Sequence, residues 1–221
     1  MKKIFYLIII GLILSISLAF LNSPKPVIIQ KPLGPSVEIP DSATALGKAI
    51  VEQARNQIGV VTEYDTSYFN DAKVPENSGV CADVIWRALA GVGYNLREEL
   101  DKDIKNNPQN YPNVKRRDSA IDFRRVKNLN VFFDKYAENL TKEVIPGDIK
   151  NLSLWQAGDL VTFSPLPGSG LTHIAIISDE RRKDGVPLMI HNYGHGTLED
   201  DFLLNWPTKI TGHYRLDNLI K

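Results

Sequence analysis

Apolar positions along the chain follow three successive patterns. The first is an uncharged, largely apolar run over residues 4–21, and a proline-rich gap follows it. The second recurs at helical spacing. Leu46, Ala49, Ile50 and Ala54 form one stripe, on a helix that Asp41 or Ser42 caps and that ends near Ile58 at Gly59. Cys81, Val84, Ile85, Ala88, Leu89 and Val92 form another, on a helix from about Val80 to Gly91 or Gly93. Residues 96–107 read as a charged, exposed helix, and 129–140 as a further helix carrying Phe132, Phe133 and Tyr136. The third pattern begins after Pro146. Residues 160–163, 173–177, 188–191 and 213–216 are short, β-rich runs bounded by Gly, Pro and Asp. Helices followed by strands predict an α+β domain with the helices packed on an antiparallel sheet.

The two N-terminal segments stand apart from that domain. Lys2 and Lys3 followed by an apolar run describe an export signal, with Ser17-Leu18-Ala19 as a small-x-small cleavage site. The run also reaches the minimum length of a spanning helix, so residues 1–21 read as a cleaved signal or as an uncleaved anchor. Either outcome exports the rest to the bacterial periplasm or cell envelope, and membrane contact is confined to residues 4–21 if they are retained. Pro24, Pro26, Pro32, Pro35 and Pro40 then give residues 22–40 the composition of an extended, semi-rigid linker. The domain is expected over 41–221.

Composition narrows the function only by exclusion. The chain has 26 Lys and Arg against 26 Asp and Glu among 221 residues, without the basic excess of a nucleic-acid binder. Its one Cys excludes an internal disulfide and any multi-cysteine metal site. The four His show no HExxH or similar short spacing, so no metal and no cofactor is expected. A monomer is the simplest assembly.

Cys81 carries the chemistry if anything does. It opens the second helix, with Ser78 or Gly79 as cap, where unpaired amide N–H groups and the helix dipole would stabilise a thiolate and lower its pKa. The alternative is that Cys81 only fills the apolar stripe; an unpaired thiol on an exported protein favours a functional reason. A cysteine nucleophile needs a base and an orienting group. His173 opens an apolar strand and shares a face with Ala175 and Ile177; His191 ends the next strand; His195 lies in a Gly-flanked loop; His213, on the last strand, reads as structural.

The order Cys81 at a helix start, Gly158-Asp159-Leu160-Val161, His173 opening a strand and a polar residue on the following strand resembles the NlpC-type papain-like cysteine peptidases, which cut bacterial cell-wall peptides. Three stretches resemble more closely the YijF-like bacterial family of unknown function: Gly79-Val-Cys-Ala-Asp-Val84; Phe123-Arg-Arg-Val126 with Asn128-Leu129; and Leu188-Met-Ile-His-Asn-Tyr-Gly194 leading to Gly212-His-Tyr-Arg215. The superfamily resemblance implies a papain-like α+β fold and a cysteine peptidase or amidase acting on peptidoglycan stem peptides. Cys81 would be nucleophile, His173 base and His191 orienting group. Because successive strand residues face opposite sides, only one of His191 and Asn192 can fill that last role. The resemblance also implies an upstream tyrosine, here Tyr64, beside the Cys81 N–H in the oxyanion site. Asp83 reads as a solvated first-turn acid or a brace for the helix start, with the solvated form preferred. Arg124 and Arg125 are candidate donors to a substrate carboxylate, with surface ion pairing expected for at least one. The sequence departs from the NlpC pattern in carrying Val80-Cys81-Ala82-Asp83 where Asp-Cys-Ser-Gly is usual. A non-catalytic cell-wall peptide binder and a thioester-forming acyltransferase of the same fold are the alternatives.

Overall fold

The computed structural model describes residues 36–170 and 172–220. The expected signal or anchor over residues 1–21 lies outside the described residues, as does most of the proline-rich segment. No helix among the described residues is long and apolar enough to cross a membrane.

The first helix, α1 (Ala45–Arg55), starts later than a cap at Asp41 or Ser42 would place it and ends three residues before the expected Ile58. Its N-cap is Thr44, whose Oγ1 accepts the Gly47 N–H at 3.0 Å. Asp41 and Ser42 are used before the helix: Asp41 Oδ1 accepts the Ala43 N–H, and the Ser42 N–H donates to Gln156 Oε1. Two short strands, β1 (Glu63–Tyr64) and β2 (Ser78–Gly79), pair in parallel and bring the two ends of residues 63–79 together just ahead of α2 (Cys81–Gly91). α3 (Leu96–Asn106) is not the exposed helix its charge implied. Leu96, Leu100 and Ile104 are buried, and so is Asp103, which accepts from Tyr111, Lys135 and Tyr136. α4 (Val126–Tyr136) begins three residues before the expected start, with Arg125 as N-cap, and stops four residues before the expected end, where residues 138 and 139 turn to strand.

After β3 (Glu138–Asn139) and the short α5 (Ile149–Leu152) come β4 (Leu160–Phe163), β5 (His173–Arg181), β6 (Pro187–Asn192), β7 (Thr197–Asp200), α6 (Phe202–Asn205) and β8 (Ile210–Arg215). They form a six-stranded antiparallel sheet in the order β3-β8-β4-β5-β6-β7. The mixed α+β architecture with an antiparallel sheet is therefore as expected. Both sheet faces are covered, which is why β4 is buried at every position instead of alternating. Leu160, Ile174, Ile176 and Ile190 pack with Ile50, Ala54, Val84, Ile85 and Leu89 of the helices. Val161, Phe163, Ala175, Ile177 and Met189 pack on the other side with Leu152, Trp155, Leu203 and Trp206. Each such fully buried aliphatic or Phe side chain contributes about 1.5–3 kcal/mol relative to exposure.

The domain also begins earlier than residue 41. The Val37 N–H donates to the Lys183 carbonyl at 2.7 Å, and Ile39 packs against the second cluster, so the last linker residues lie on the domain surface. At Gly158 (φ +87°) the turn into β4 meets α1 at Gly47: a Cβ on Gly158 would stand 2.4 Å from the Gly47 Cα. Two glycines in backbone contact thus fix how α1 sits on the sheet.

Candidate active site

The start of α2 is held by its own third residue. Val80 occupies the N-cap with no side-chain acceptor, so neither Ser78 nor Gly79 caps this helix. Asp83 supplies the missing group, its Oδ2 accepting the Val80 N–H at 2.7 Å. The carboxylate is 0% exposed and is gripped by Arg124, with Nε 3.0 Å from both oxygens and Nη2 2.9 Å from Oδ2. Asp83 is therefore a buried brace and not a solvated acid. Arg124 spends its other donors on backbone, Nη1 on the Ser67 carbonyl and Nη2 on the Asp65 carbonyl. Its side chain is 2% exposed, which corrects its place among the donors to a substrate carboxylate. Arg125 is different: its side chain is 46% exposed and, among the described residues, makes one ion pair, with Asp122 at 3.0 Å.

Cys81 is buried at the head of α2. Burial pushes the thiol up to about 11; the backbone N–H groups of Ile174, Ala82 and Cys81 oppose this, and the Asp83 carboxylate adds to it. The expected lowering at a helix start is thus overturned, because the desolvation of a thiolate outweighs the amide dipoles. Ile174, whose backbone N–H favours the thiolate, is the residue after His173 and packs in one apolar cluster with Cys81, so the expected base lies one residue along β5 from a neighbour of the thiol. Tyr64 reaches the same sulfur. Its backbone register with Gly79 brings the phenol to the helix start, and burial first, then the neighbouring thiol, raise the hydroxyl well above its ordinary value.

On the sheet, His173 and His191 meet through their rings. His173 Nε2 lies 2.7 Å from His191 Nδ1, and His191 Nε2 lies 3.1 Å from Asp200 Oδ1. A carboxylate only accepts, so His191 carries its proton on Nε2. Its Nδ1 is then an acceptor, His173 donates from Nε2, and the lone pair of His173 is left on Nδ1. The run of three groups selects one tautomer of His173. Burial and the adjacent His191 hold His173 well below its ordinary value, so it stays neutral. Trp206 stacks on its ring at 4.0 Å and fixes its plane. Asn192 points elsewhere: its Nδ2 donates to the Glu63 carbonyl at 3.1 Å and the Gly79 carbonyl at 2.9 Å, stitching β6 to the β1–β2 pair. His213 is structural, stacked on Trp155 at 3.7 Å with its ring nitrogens facing Asp159 and the Thr141 carbonyl. Among the described residues no group of three or more His, Cys, Asp or Glu could hold a metal ion.

Sequence reasoning missed Asp200 and Trp206. Asp200 lies in an unremarkable Glu-Asp-Asp run, and only the β6–β7 pairing turns it towards His191; Trp206 follows a helix of one turn. Neither carries a local signal.

The two buried groups make stability depend on pH. Cys81 rises from 9.0 to about 11 on folding, a contribution of about 3 kcal/mol that is complete below pH 9 and lost as pH rises through 11. His173 is depressed, so its contribution is present above pH 6.5 and lost on acidification. Urea unfolding followed from pH 8 to 11 should show wild type losing stability relative to Cys81→Ser. Parallel curves would mean that the thiol is not desolvated.

The comparisons with known proteins agree with this layout in extent but are silent on activity. The family model described as a domain of unknown function (DUF1287) matches residues 51–216, from α1 through β8. The uncharacterized protein YijF of Escherichia coli (strain K12) is 39% identical over 174 residues, covering 76% of this chain and 80% of that protein. The matched span contains Cys81, His173, His191 and Asp200, and on that coverage the chain belongs to the DUF1287 family.

Proposed function

We propose that this protein is an exported cysteine hydrolase of papain-like, NlpC-type construction that cleaves amide bonds in peptidoglycan stem peptides. One observation carries the reading: a buried, hydrogen-bonded run His173–His191–Asp200 starts on β5 one residue before Ile174, which packs in the same apolar cluster as Cys81. Nucleophilic catalysis requires a thiol, a base and a group that sets the tautomer of the base, and in this reading those roles fall to Cys81, His173 and His191. The resemblance to cell-wall peptidases supplies the substrate class, and the basic start with its apolar run supports export.

With thiol and imidazole both neutral at rest, His173 Nδ1 takes the thiol proton as the sulfur attacks the amide carbonyl. The C–S bond forms and the carbonyl π pair moves onto oxygen. The Cys81 N–H and the Tyr64 hydroxyl would meet that oxyanion, one such donor being worth about 2.7–4 kcal/mol of barrier. Collapse breaks the C–N bond; the imidazolium returns its proton to the departing amine and leaves a thioester. Water, losing a proton to His173, then attacks the thioester and releases the carboxylate and the thiol. Asp200 keeps His191 in the tautomer that stabilises the imidazolium.

The raised thiol value favours one rival, a cell-wall peptide binder that keeps the fold without the chemistry. Incubating the protein with purified muropeptides, with and without glycine amide, and weighing the products separates the readings. Hydrolysis gives a free carboxylate and amine in both mixtures. Unchanged muropeptides overturn the proposal in favour of the binder. Products that form only with the added amine overturn it in favour of acyl transfer.

A further inference from the structure

A cavity of about 270 Å³ opens between the starts of α2 and α4. Cys81 and Tyr64 line one end, and Arg124, Arg125, Lys127 and Asn128 the other. We propose that this cavity is a subsite for a free carboxylate carried beside an amide N–H on the substrate, so that the preferred substrates are anionic peptides with a carboxylate near the scissile bond. This deepens the hydrolase reading and rests on it.

Charge is the first argument. Three cationic residues and no acidic one line the cavity among the described residues. Arg124 is neutralised by Asp83, and one nitrogen of Arg125 meets Asp122, but Lys127 is exposed and makes no ion pair among the described residues. The second argument is the start of α4. Arg125 gives the helix no side-chain cap, and no acidic residue stands in the first turn. The first N–H groups of a helix have no partner within it, and with the dipole they favour an anion.

Asn128 is the independent sign of a ligand. It is 1% exposed, its Nδ2 donates to the Asp122 carbonyl at 3.0 Å, and its Oδ1 is buried with no partner. Exchanging the amide atoms would set two acceptors together, so the orphan is an acceptor. A buried acceptor without a donor costs about 1–3 kcal/mol. A ligand carrying an N–H beside its carboxylate would satisfy it while the carboxylate meets Lys127, Arg125 and the helix start.

The anionic and neutral forms of one alkylating reagent test this without any turnover assay. The ratio of iodoacetate to iodoacetamide rates at Cys81 is measured in the full chain and divided by the same ratio for glutathione. We expect a ratio at least tenfold above glutathione's, saturation with iodoacetate, and protection of the thiol by N-acetylglycine. Arg125→Gln/Lys127→Gln, two surface changes that leave the core intact, should return the ratio to that of glutathione. Asn128→Leu should weaken protection by N-acetylglycine more than protection by acetate. A glutathione-like ratio in wild type, a raised ratio untouched by the double substitution, or a thiol that reacts with neither reagent overturns the subsite. A fast iodoacetamide reaction at the glutathione ratio leaves the nucleophile standing, and a raised ratio with intact muropeptides sinks the hydrolase reading instead, so the two failures are distinguishable.

Discussion

Cys81→Ser should abolish muropeptide turnover, and His191→Ala should lower kcat by about 10³–10⁴, the scale seen when a catalytic imidazole loses the group that fixes its tautomer. The serine swap nearly preserves volume, and both Tyr64 and the Ile174 N–H remain to bond the hydroxyl, so the thermal midpoint should stay within a few degrees of wild type. His191→Ala removes the acceptor on His173 Nε2, which stands 2.7 Å away, and frees the ring to carry its proton on Nδ1, where the proposed base needs a lone pair. His191→Gln, whose carbonyl can accept that proton, should recover part of the rate. Asp200→Asn should lose less than His191→Ala, because it acts through one more group. Asn192→Ala should behave differently: it strips a donor from the buried Gly79 carbonyl and from the partly buried Glu63 carbonyl that fasten the β1–β2 pair, at about 1–3 kcal/mol for the buried one and less for the other. Its midpoint should drop while kcat per folded molecule stays near wild type. Were Asn192→Ala to lose the rate and His191→Ala to keep it, the assignment along β6 would be off by one residue. Were Cys81→Ser to melt several degrees lower with turnover intact, the thiol would be packing alone.

Much of the fold was legible because periodicity survives in single segments. The stripe from Cys81 to Val92 and the run at 173–177 are long enough to declare a helix and a buried strand without tertiary help. That only one of His191 and Asn192 could face His173 followed from the alternation of faces, but the choice of His191 came from the resemblance to the peptidases and not from the strand pattern. The edge strands β3 and β7 were not legible, because residues 138–139 and 197–200 are polar and take strand geometry only from a neighbour's ladder. Asp200 was lost with β7. The roles of Asp83 and Arg124 were misjudged for a related reason: exposure of a charged residue is the default at a helix start. Nothing local reports that a guanidinium 41 positions away in sequence will bury that carboxylate. The thiol's direction failed because the dipole can be read from the helix, whereas the desolvation that outweighs it depends on what β5 and Tyr64 cover.

The Asp83–Arg124 pair should prove the most costly polar contact to break. Arg124→Met keeps much of the side chain's bulk but leaves the Asp83 carboxylate buried without its counter-ion, and strands the Asp65 and Ser67 carbonyls. Removing one partner of a buried pair typically costs about 3–5 kcal/mol, and each kcal/mol is worth about 2–4 °C in a domain of this size. Chemical denaturation should therefore show Arg124→Met less stable by that amount. Asp83→Asn/Arg124→Met should be less damaging than Arg124→Met alone, since the amide oxygen can still accept the Val80 N–H while the uncompensated charge is gone. That sign of non-additivity is the decisive readout, because simple loss of packing would make the double variant worse. A cost below about 1 kcal/mol for Arg124→Met would mean that water reaches the carboxylate. Asp83 would then be the solvated acid that its place in the first turn implied, and the start of α2 would be held by something other than the brace described above. The consequence for chemistry is direct: the pair fixes the Val80 N–H, one residue before the thiol, and the Asp65 carbonyl, one residue after Tyr64. A loosened brace should therefore raise KM and lower kcat together, in folded protein below the unfolding transition, where loss of stability alone would move neither.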